Sequence, residues 1–367
     1  MLVIDHYIPQ PDRDAGSRTM VAFIRCLLDA GCVVKFWPEN LWFDPDYGPD
    51  LTRMGVEVVS GPSGLEGLEG YLKQWGDEFD AIMISRPDVA QKFMEQAHRS
   101  RARIVYYGHD LHFRRMQLEA EQSQDAALQA RTVAMLKRER GIWRSADVVL
   151  YPSAEEAAMV RQLEPDSDAR AVLPYAFDAF EDDALVQGRK GVLFVAGFAH
   201  PPNVDAARWL VTEVMPRVRE RAPDLDLWLV GANPTAEVQA LAGERVHVTG
   251  YVTDEQLQAF YRAARIAVVP LRFGAGVKSK VVEALRYGLP LVTTAVGAQG
   301  LEELDEVARV EDDPEAIAEA ILELAGNDAL WIQKSRAGAR YAATRFSYAA
   351  MGAQLLDAMG IDAERRS

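Results

Sequence analysis

Short apolar runs alternate with stretches of helical period along most of the chain, the pattern of βαβ units wound into parallel sheets. In the first half the runs LVIDH, VVKFWP, VEVVS, AIMISR, RIVYYG and VVLYPS, with a weaker AVLPY, predict strands, and helices are predicted over Thr19–Ala30, Val89–Arg99 and Ala126–Ser145. From Phe177 to Lys190 the composition turns acidic and polar, which predicts an exposed linker. A second wound unit follows, with strands GVLFVAGF, LDLWLVGA, RVHVTGYV, RIAVVPL, PLVTT and VARVE and helices over Ala206–Arg221, Asp254–Ala264 and Val277–Tyr287. After Asn327 the pattern is helical to the end. The expected fold class is therefore α/β, with two Rossmann-like parallel-sheet domains facing a cleft. Residues 1–177 form the first, 178–190 the linker and 191–345 the second, and a last helix over 346–367, opened by Phe346, Ser347 and Tyr348, returns to the first.

Charge narrows the function. The 367 residues carry 40 basic and 55 acidic side chains, a formal net charge of −15, which disfavours nucleic acid as a partner and requires any anion to be held by a local basic cluster. Cys26 and Cys32 sit at an apolar helix-to-strand junction and suggest neither a disulfide framework nor a metal site, as in a reducing, cytoplasmic compartment. The start, MLVIDHYIP, breaks at Asp5 with no basic region before it and reads as a first strand. No run nears the roughly 20 apolar residues that span a bilayer.

The segment Arg265–Gly300 concentrates the chemistry. An apolar run ends at Pro270, and Gly274 and Gly276 precede a helical pattern, so backbone N–H groups are presented at a helix N-terminus, where phosphate binds. Arg272, Lys278 and Lys280 gather around that loop on an otherwise acidic chain. They suit the negative charge that develops on a leaving nucleoside diphosphate. Glu283 falls one turn after Lys280, placed to accept two hydrogen bonds from a ribose diol. The plain alternatives are solvated lysines and a surface Lys280–Glu283 pair.

Three further loops follow predicted strands, where wound sheets bind ligands. Asp12–Arg18 brings Gly16 and Ser17 to the first helix, although Asp14 or Ser17 there would equally serve as a cap. His109 and Asp110 follow RIVYYG. GFAHPPN brings Gly197 and His200, with Asn203 as a candidate helix cap. Arg131, Lys137, Arg138, Arg140 and Arg144 make one helix basic, a surface for anionic lipid or, with Glu139 among them, a plain solvated helix, the reading preferred here.

The GxKxK loop, the EAL helix start and the GLPLV turn resemble those of the retaining glycosyltransferases of family 4, which have the GT-B fold, over roughly Gly191–Gly300 and again at FSY. The resemblance implies transfer of a sugar from a nucleotide-diphosphate sugar, UDP- or GDP-linked, to a glycan or lipid-linked hydroxyl acceptor, with retention, without a metal or other cofactor. It places donor-binding residues Gly197, His200, Tyr251, Arg272, Gly274, Gly276, Lys278, Lys280 and Glu283 on the C-terminal domain. On the N-terminal domain Gly16 would meet the donor, His109 would lie near the transferred sugar, and Asp14, Arg18 and Asp110 would lie on the acceptor side. His109, Arg272 and Lys278 are the catalytic candidates. Where the family carries the first of two glutamates this chain has Ala275, and the usual arginine–lysine pair after the first strand of the second domain is replaced by GFAHPPNVDA. A GAGVKxK loop resembles a subgroup of polysaccharide, O-antigen or glycolipid assembly, which implies a cytoplasmic protein, at most at the inner face of the plasma membrane. Two other readings stay open: an isomerase of the nucleotide-sugar 2-epimerase type, which shares the architecture, and a non-catalytic nucleotide-sugar binder.

Overall fold

The computed structural model describes residues 1–61, 67–123, 126–174, 176–274 and 277–361, and the chain divides into two compact units. The N-terminal unit runs from Met1 to Ala176 and takes in the chain again from Tyr348; the C-terminal unit is Phe177–Ser347.

Seven parallel strands make the N-terminal sheet: β1 (Leu2–Asp5), β2 (Lys35–Pro38), β3 (Glu57–Val58), β4 (Ala81–Ser85), β5 (Arg103–Tyr107), β6 (Val148–Tyr151) and β7 (Ala169–Ala171), in the order β3-β2-β1-β4-β5-β6-β7. β1, β4 and β6 are buried along their whole length, as a parallel sheet covered on both faces requires, which is why they read as unbroken apolar runs. One face packs Leu2, Ile4, Ile82, Ile84, Ile104 and Tyr106; the other packs Val3, Met83, Val105 and Tyr107 against Phe23, Ile24, Met351 and Leu355. The helix Tyr348–Met359 thus belongs to this core, and its fully buried Met351 and Leu355 contribute roughly 1.5–3 kcal/mol each. β7 begins before AVLPY because Val149 pairs with Ala169, and Pro174 has no N–H with which to extend a ladder.

The C-terminal sheet is also parallel: β8 (Val192–Val195), β9 (Leu227–Val230), β10 (Val246–Val248), β11 (Ile266–Val269), β12 (Leu291–Thr293) and β13 (Arg309–Val310), ordered β10-β9-β8-β11-β12-β13. Two expectations fail locally. The helix expected over Ala206–Arg221 begins at Pro201 and widens into a π-turn over Leu210–Val214 ahead of Pro216, where the missing N–H would break a regular ladder. The expected linker over Phe177–Lys190 is instead packed on the C-terminal unit. Arg189 is buried and donates to the carbonyls of Tyr261 (2.9 Å) and Ala264 (3.3 Å), the Glu181 N–H donates to Arg286 O (2.8 Å), and the Glu181 carboxylate pairs with Arg262. Asp178, Asp182 and Asp183 are exposed as expected, while Glu181 is tied down by its salt bridge.

Candidate active site

In each sheet the chain leaves in opposite directions from two adjacent central strands, and ligands of wound sheets sit beyond the carboxyl ends of such strands. The switch lies between β8 and β11 in the C-terminal unit and between β1 and β4 in the N-terminal unit.

In the C-terminal unit polar side chains join the two sides of the switch. The helix Pro201–Trp209 follows β8 and the helix Ser279–Arg286 follows the loop after β11. The Lys280 Nζ donates to Asn203 Oδ1 at 2.6 Å, and Asn203 Nδ2 donates to Gly197 O at 2.8 Å. Asn203 therefore ties strand-end loop to lysine and does not cap its helix; His200 occupies that cap position, its own N–H on Gly197 O at 3.3 Å. Burial, reinforced by the neighbouring Lys278 charge and opposed by Glu283, pushes the Lys280 amine down to about 8. Lys278 is buried at the cap position of the helix Ser279–Arg286. Arg272, expected to receive the donor diphosphate, is paired through both Nε (2.8 Å) and Nη2 with Asp205, which also holds Arg208 at 2.9 Å. The Arg272 hydrogen bonds are the main reason the Asp205 carboxyl lies below its ordinary range.

One turn beyond Lys280, Glu283 Oε2 accepts from the hydroxyl of Tyr261, a fully buried residue, at 3.1 Å. Burial raises the Glu283 carboxyl, against the pull of that hydrogen bond and of Arg286. A half-buried carboxylate with one oxygen anchored is oriented, and its second oxygen is available to a diol. Gly274 has φ +129°, which side-chain-bearing residues rarely adopt, and lets the loop pass the Lys278 stem. Gly276 lies outside the described residues. Tyr251 stands on the loop after β10, two strands from the switch, 78% exposed.

In the N-terminal unit the switch carries a denser cluster. Asp5 ends β1, buried, and accepts from Arg86 Nε at 2.9 Å and from the His6 N–H at 2.7 Å. Burial would raise its carboxyl, but His6, Arg86 and His109 outweigh that and hold it low. Arg86 follows β4 with φ +71°, a conformation costing about 1–3 kcal/mol in a non-glycine residue. His109, after β5, sets Nε2 2.8 Å from Ser85 Oγ. Burial, then Arg86, push its imidazole down to about 4, so at neutral pH it is uncharged and suited to hydrogen bonding rather than to carrying a proton. A Cβ on Gly16 would lie 2.9 Å from His109 Nδ1 and 3.0 Å from Arg86 Nη2, so only glycine admits both groups to the first helix. Gly16→Ala is expected to displace His109 and lower turnover about 10- to 100-fold, by the cost of misplacing a reacting group, with near-unchanged melting temperature; steady-state kinetics beside thermal denaturation would check it.

The other candidates there have structural partners. Asp14 caps the helix Ala15–Asp29, accepting from the Ser17 N–H at 2.7 Å and Ser17 Oγ at 2.6 Å, with Tyr7 OH at 3.0 Å. Asp110 pairs with His112 (2.8 Å) and Arg115 (2.9 Å), and Arg18 is exposed. On the basic helix Ala126–Ser145 three of the five cations are paired, Arg138 with Asp88 and both Arg140 and Arg144 with Glu164. Glu139, expected on a solvated face, is completely buried. Arg86, Asp5, Ser85 and Tyr261 were not anticipated, and Asn203 only as a helix cap. For Arg86 a signal existed, since the residue before Pro87 is pushed out of the helical region and sits at the carboxyl end of an apolar run.

Residues 189–327 match the family model described as glycosyl transferases group 1. Over 134 residues the chain is 30% identical to the "Uncharacterized 44.6 kDa protein in cps region" of Klebsiella pneumoniae, a match covering 35% of this chain and 33% of that protein, so the shared segment spans about a third of the relative. Among solved structures it is similar to sucrose-phosphate synthase from Thermosynechococcus elongatus, with TM-score 0.64 and 19% identity over 97% of both chains. It is also similar to HepE of Anabaena in complex with UDP, with TM-score 0.65 and 16% identity over 98% of this chain and 99% of that one. A glycosyltransferase from Rickettsia africae has TM-score 0.64 at 12% identity over 100% and 99%. The two parallel-sheet units have the GT-B fold of these structures. Among the described residues no helix is long and apolar enough to cross a membrane.

Proposed function

We propose that this chain is a retaining, metal-independent glycosyltransferase that moves a sugar from a nucleotide-diphosphate sugar to a hydroxyl acceptor in bacterial polysaccharide assembly. The observation that carries the reading is the Lys280–Asn203 bond across the β8/β11 switch, with the Tyr261-anchored Glu283 one turn on. Support also comes from the HepE structures, described as complexes with UDP, UDP-glucose, and UDP and glucose, and from the "cps region" of the Klebsiella relative.

In this reading Glu283 accepts hydrogen bonds from the ribose hydroxyls, while Lys280, Lys278 and the amides of the loop after Pro270 receive the diphosphate. The bond from the anomeric carbon to the donor phosphate oxygen breaks as the acceptor oxygen bonds to that carbon from the same face. The acceptor proton passes to a donor phosphate oxygen, and the nucleoside diphosphate leaves. Cations already in place stabilise the charge that grows on it, without reorganisation at the moment of reaction. His109, neutral, orients the sugar or the acceptor and needs no proton of its own. Arg272 joins the diphosphate by exchanging Asp205 for phosphate.

Incubation with a panel of UDP- and GDP-sugars and a glycan acceptor, followed by proton NMR of the anomeric signal, tests this: retained configuration in a new glycoside, undiminished by chelator, is expected. A 2-epimer formed without acceptor would replace the reading with an isomerase, and binding without transfer or hydrolysis with a non-catalytic binder. Donor binding also has a pH signature. A diphosphate favours the protonated amine, and Lys280 in the free protein loses its proton near 8. Affinity is therefore expected to fall about tenfold from pH 7 to pH 9, and Lys280→Met is expected to flatten that slope in calorimetric titrations.

A further inference from the structure

We infer that Glu139 and Glu156 act as a pair of positioning residues, a carboxylate bracket that fixes the loop bearing His109; the inference rests on the role in transfer given above to that histidine.

The loop Gly108–Leu111 leads from β5 into the helix His112–Ser123, whose first N–H groups need acceptors. A side chain at the cap position ordinarily supplies one, but that position is held by the buried Leu111, which offers no acceptor; Asp110 stands one residue before it. Its carboxylate turns instead to His112 Nδ1 at 2.8 Å and Arg115 at 2.9 Å. Three consecutive amides are served from elsewhere in the chain. The Leu111 N–H donates to Glu156 Oε1 at 3.1 Å, the His112 N–H to Glu139 Oε1 at 3.1 Å, and the Phe113 N–H to Glu139 Oε2 at 2.9 Å. Glu139 comes from the helix Ala126–Ser145 and Glu156 from the helix Ala154–Leu163, where Ser153 Oγ donates to its other oxygen at 2.9 Å.

The cost of this arrangement argues for a purpose beyond folding. Glu139 is 0% exposed, and removing a carboxylate from water costs several kcal/mol unless hydrogen bonds return it. A polar cap residue at 111 with a hydrophobic residue at 139 would hold the same helix without a buried carboxylate. The bracket does what a local cap does not: it fixes the backbone on the far side of His109 from β5. On the near side the Gly108 N–H is held by Leu150 O at 2.9 Å, and a Cβ on Gly108 would lie 2.3 Å from the Tyr151 ring. The imidazole between these clamps then has one direction in which to meet Ser85 Oγ and the β1 loop.

Glutamine at 139 preserves shape but turns an acceptor into an NH2 group that opposes a backbone N–H, so it loosens the loop without leaving a cavity. The test compares full-length wild type, Glu139→Gln and Glu156→Gln by ring-nitrogen NMR of ¹⁵N-histidine-labelled protein, with His109→Asn assigning the signal, and by steady-state kinetics. The His109 ring signals are expected to shift or broaden in Glu139→Gln while those of His200 and His247 stay in place, with kcat about tenfold lower and the donor KM within about twofold, as for a misplaced group that does not bind donor. Unchanged His109 signals, or a loss confined to melting temperature, would overturn the inference. Should Glu139→Gln not fold, Glu156→Gln decides by the same signals. Should the wild type transfer no sugar, the proposed function fails while the ring signals still judge the bracket.

Discussion

Glu283→Ala is expected to weaken binding of the donor and of its nucleoside diphosphate by about 100-fold or more. Two hydrogen bonds to a charged carboxylate contribute roughly 1.5–3 kcal/mol each, and each 1.4 kcal/mol is a factor of about ten. The half-buried setting matters, because Glu283 is already held by Tyr261 at 3.1 Å and little ordering remains to be done when the diol arrives. Loss of the carboxylate also leaves the Tyr261 hydroxyl buried without that acceptor, so some fall in melting temperature accompanies it. Tyr261→Phe separates the two effects: it removes the anchor but keeps the diol acceptor, and is expected to cost less than about tenfold in affinity. Calorimetric affinity within twofold of wild type in Glu283→Ala would remove this residue from the site.

The second large effect is on the rate. Lys280→Ala is expected to lower kcat by about 10²- to 10³-fold, the range found when one preorganised stabiliser of developing negative charge is removed, with a smaller change in KM. The amine is fixed at 2.6 Å from Asn203 and sits against the Phe194 ring at 5.6 Å, so it is placed before substrate arrives. Asn203→Ala should keep the charge but release the amine, giving an intermediate loss. A kcat within threefold of wild type for Lys280→Ala, measured at saturating donor, would show that the departing charge is met elsewhere.

Most of the framework was legible because parallel strands buried on both faces carry an unbroken apolar signal, and β1, β4, β5, β6, β8 and β11 each fall within a run that the sequence displays. The loop after β11 was legible for the same reason, since a glycine-punctuated break after an apolar run marks a strand end. Pairings across long separations were not. Arg272 meets Asp205 from 67 positions away and Lys280 meets Asn203 from 77, and no periodicity encodes such partners. Glu139 shows the limit most sharply: it sits in an arginine-rich helix whose composition reads as solvated, yet its acceptors serve amides 26 and 27 residues earlier, a demand visible only once the helix His112–Ser123 is in place. Asp14 had two readings, ligand or cap, and the Ser17 bonds assign it a cap. Arg189 was hidden by its acidic surroundings, and its acceptors are the carbonyls of Tyr261 and Ala264, 72 and 75 positions on.

Calorimetric titration of the full chain with UDP, GDP and the corresponding monophosphates probes the charged switch point of the C-terminal unit most directly. At least one diphosphate is expected to bind well ahead of its monophosphate, with heat that disappears in the Glu283→Ala, Lys280→Ala double variant. Equal binding of mono- and diphosphates, no binding of any, or undiminished heat in the double variant would contradict this expectation.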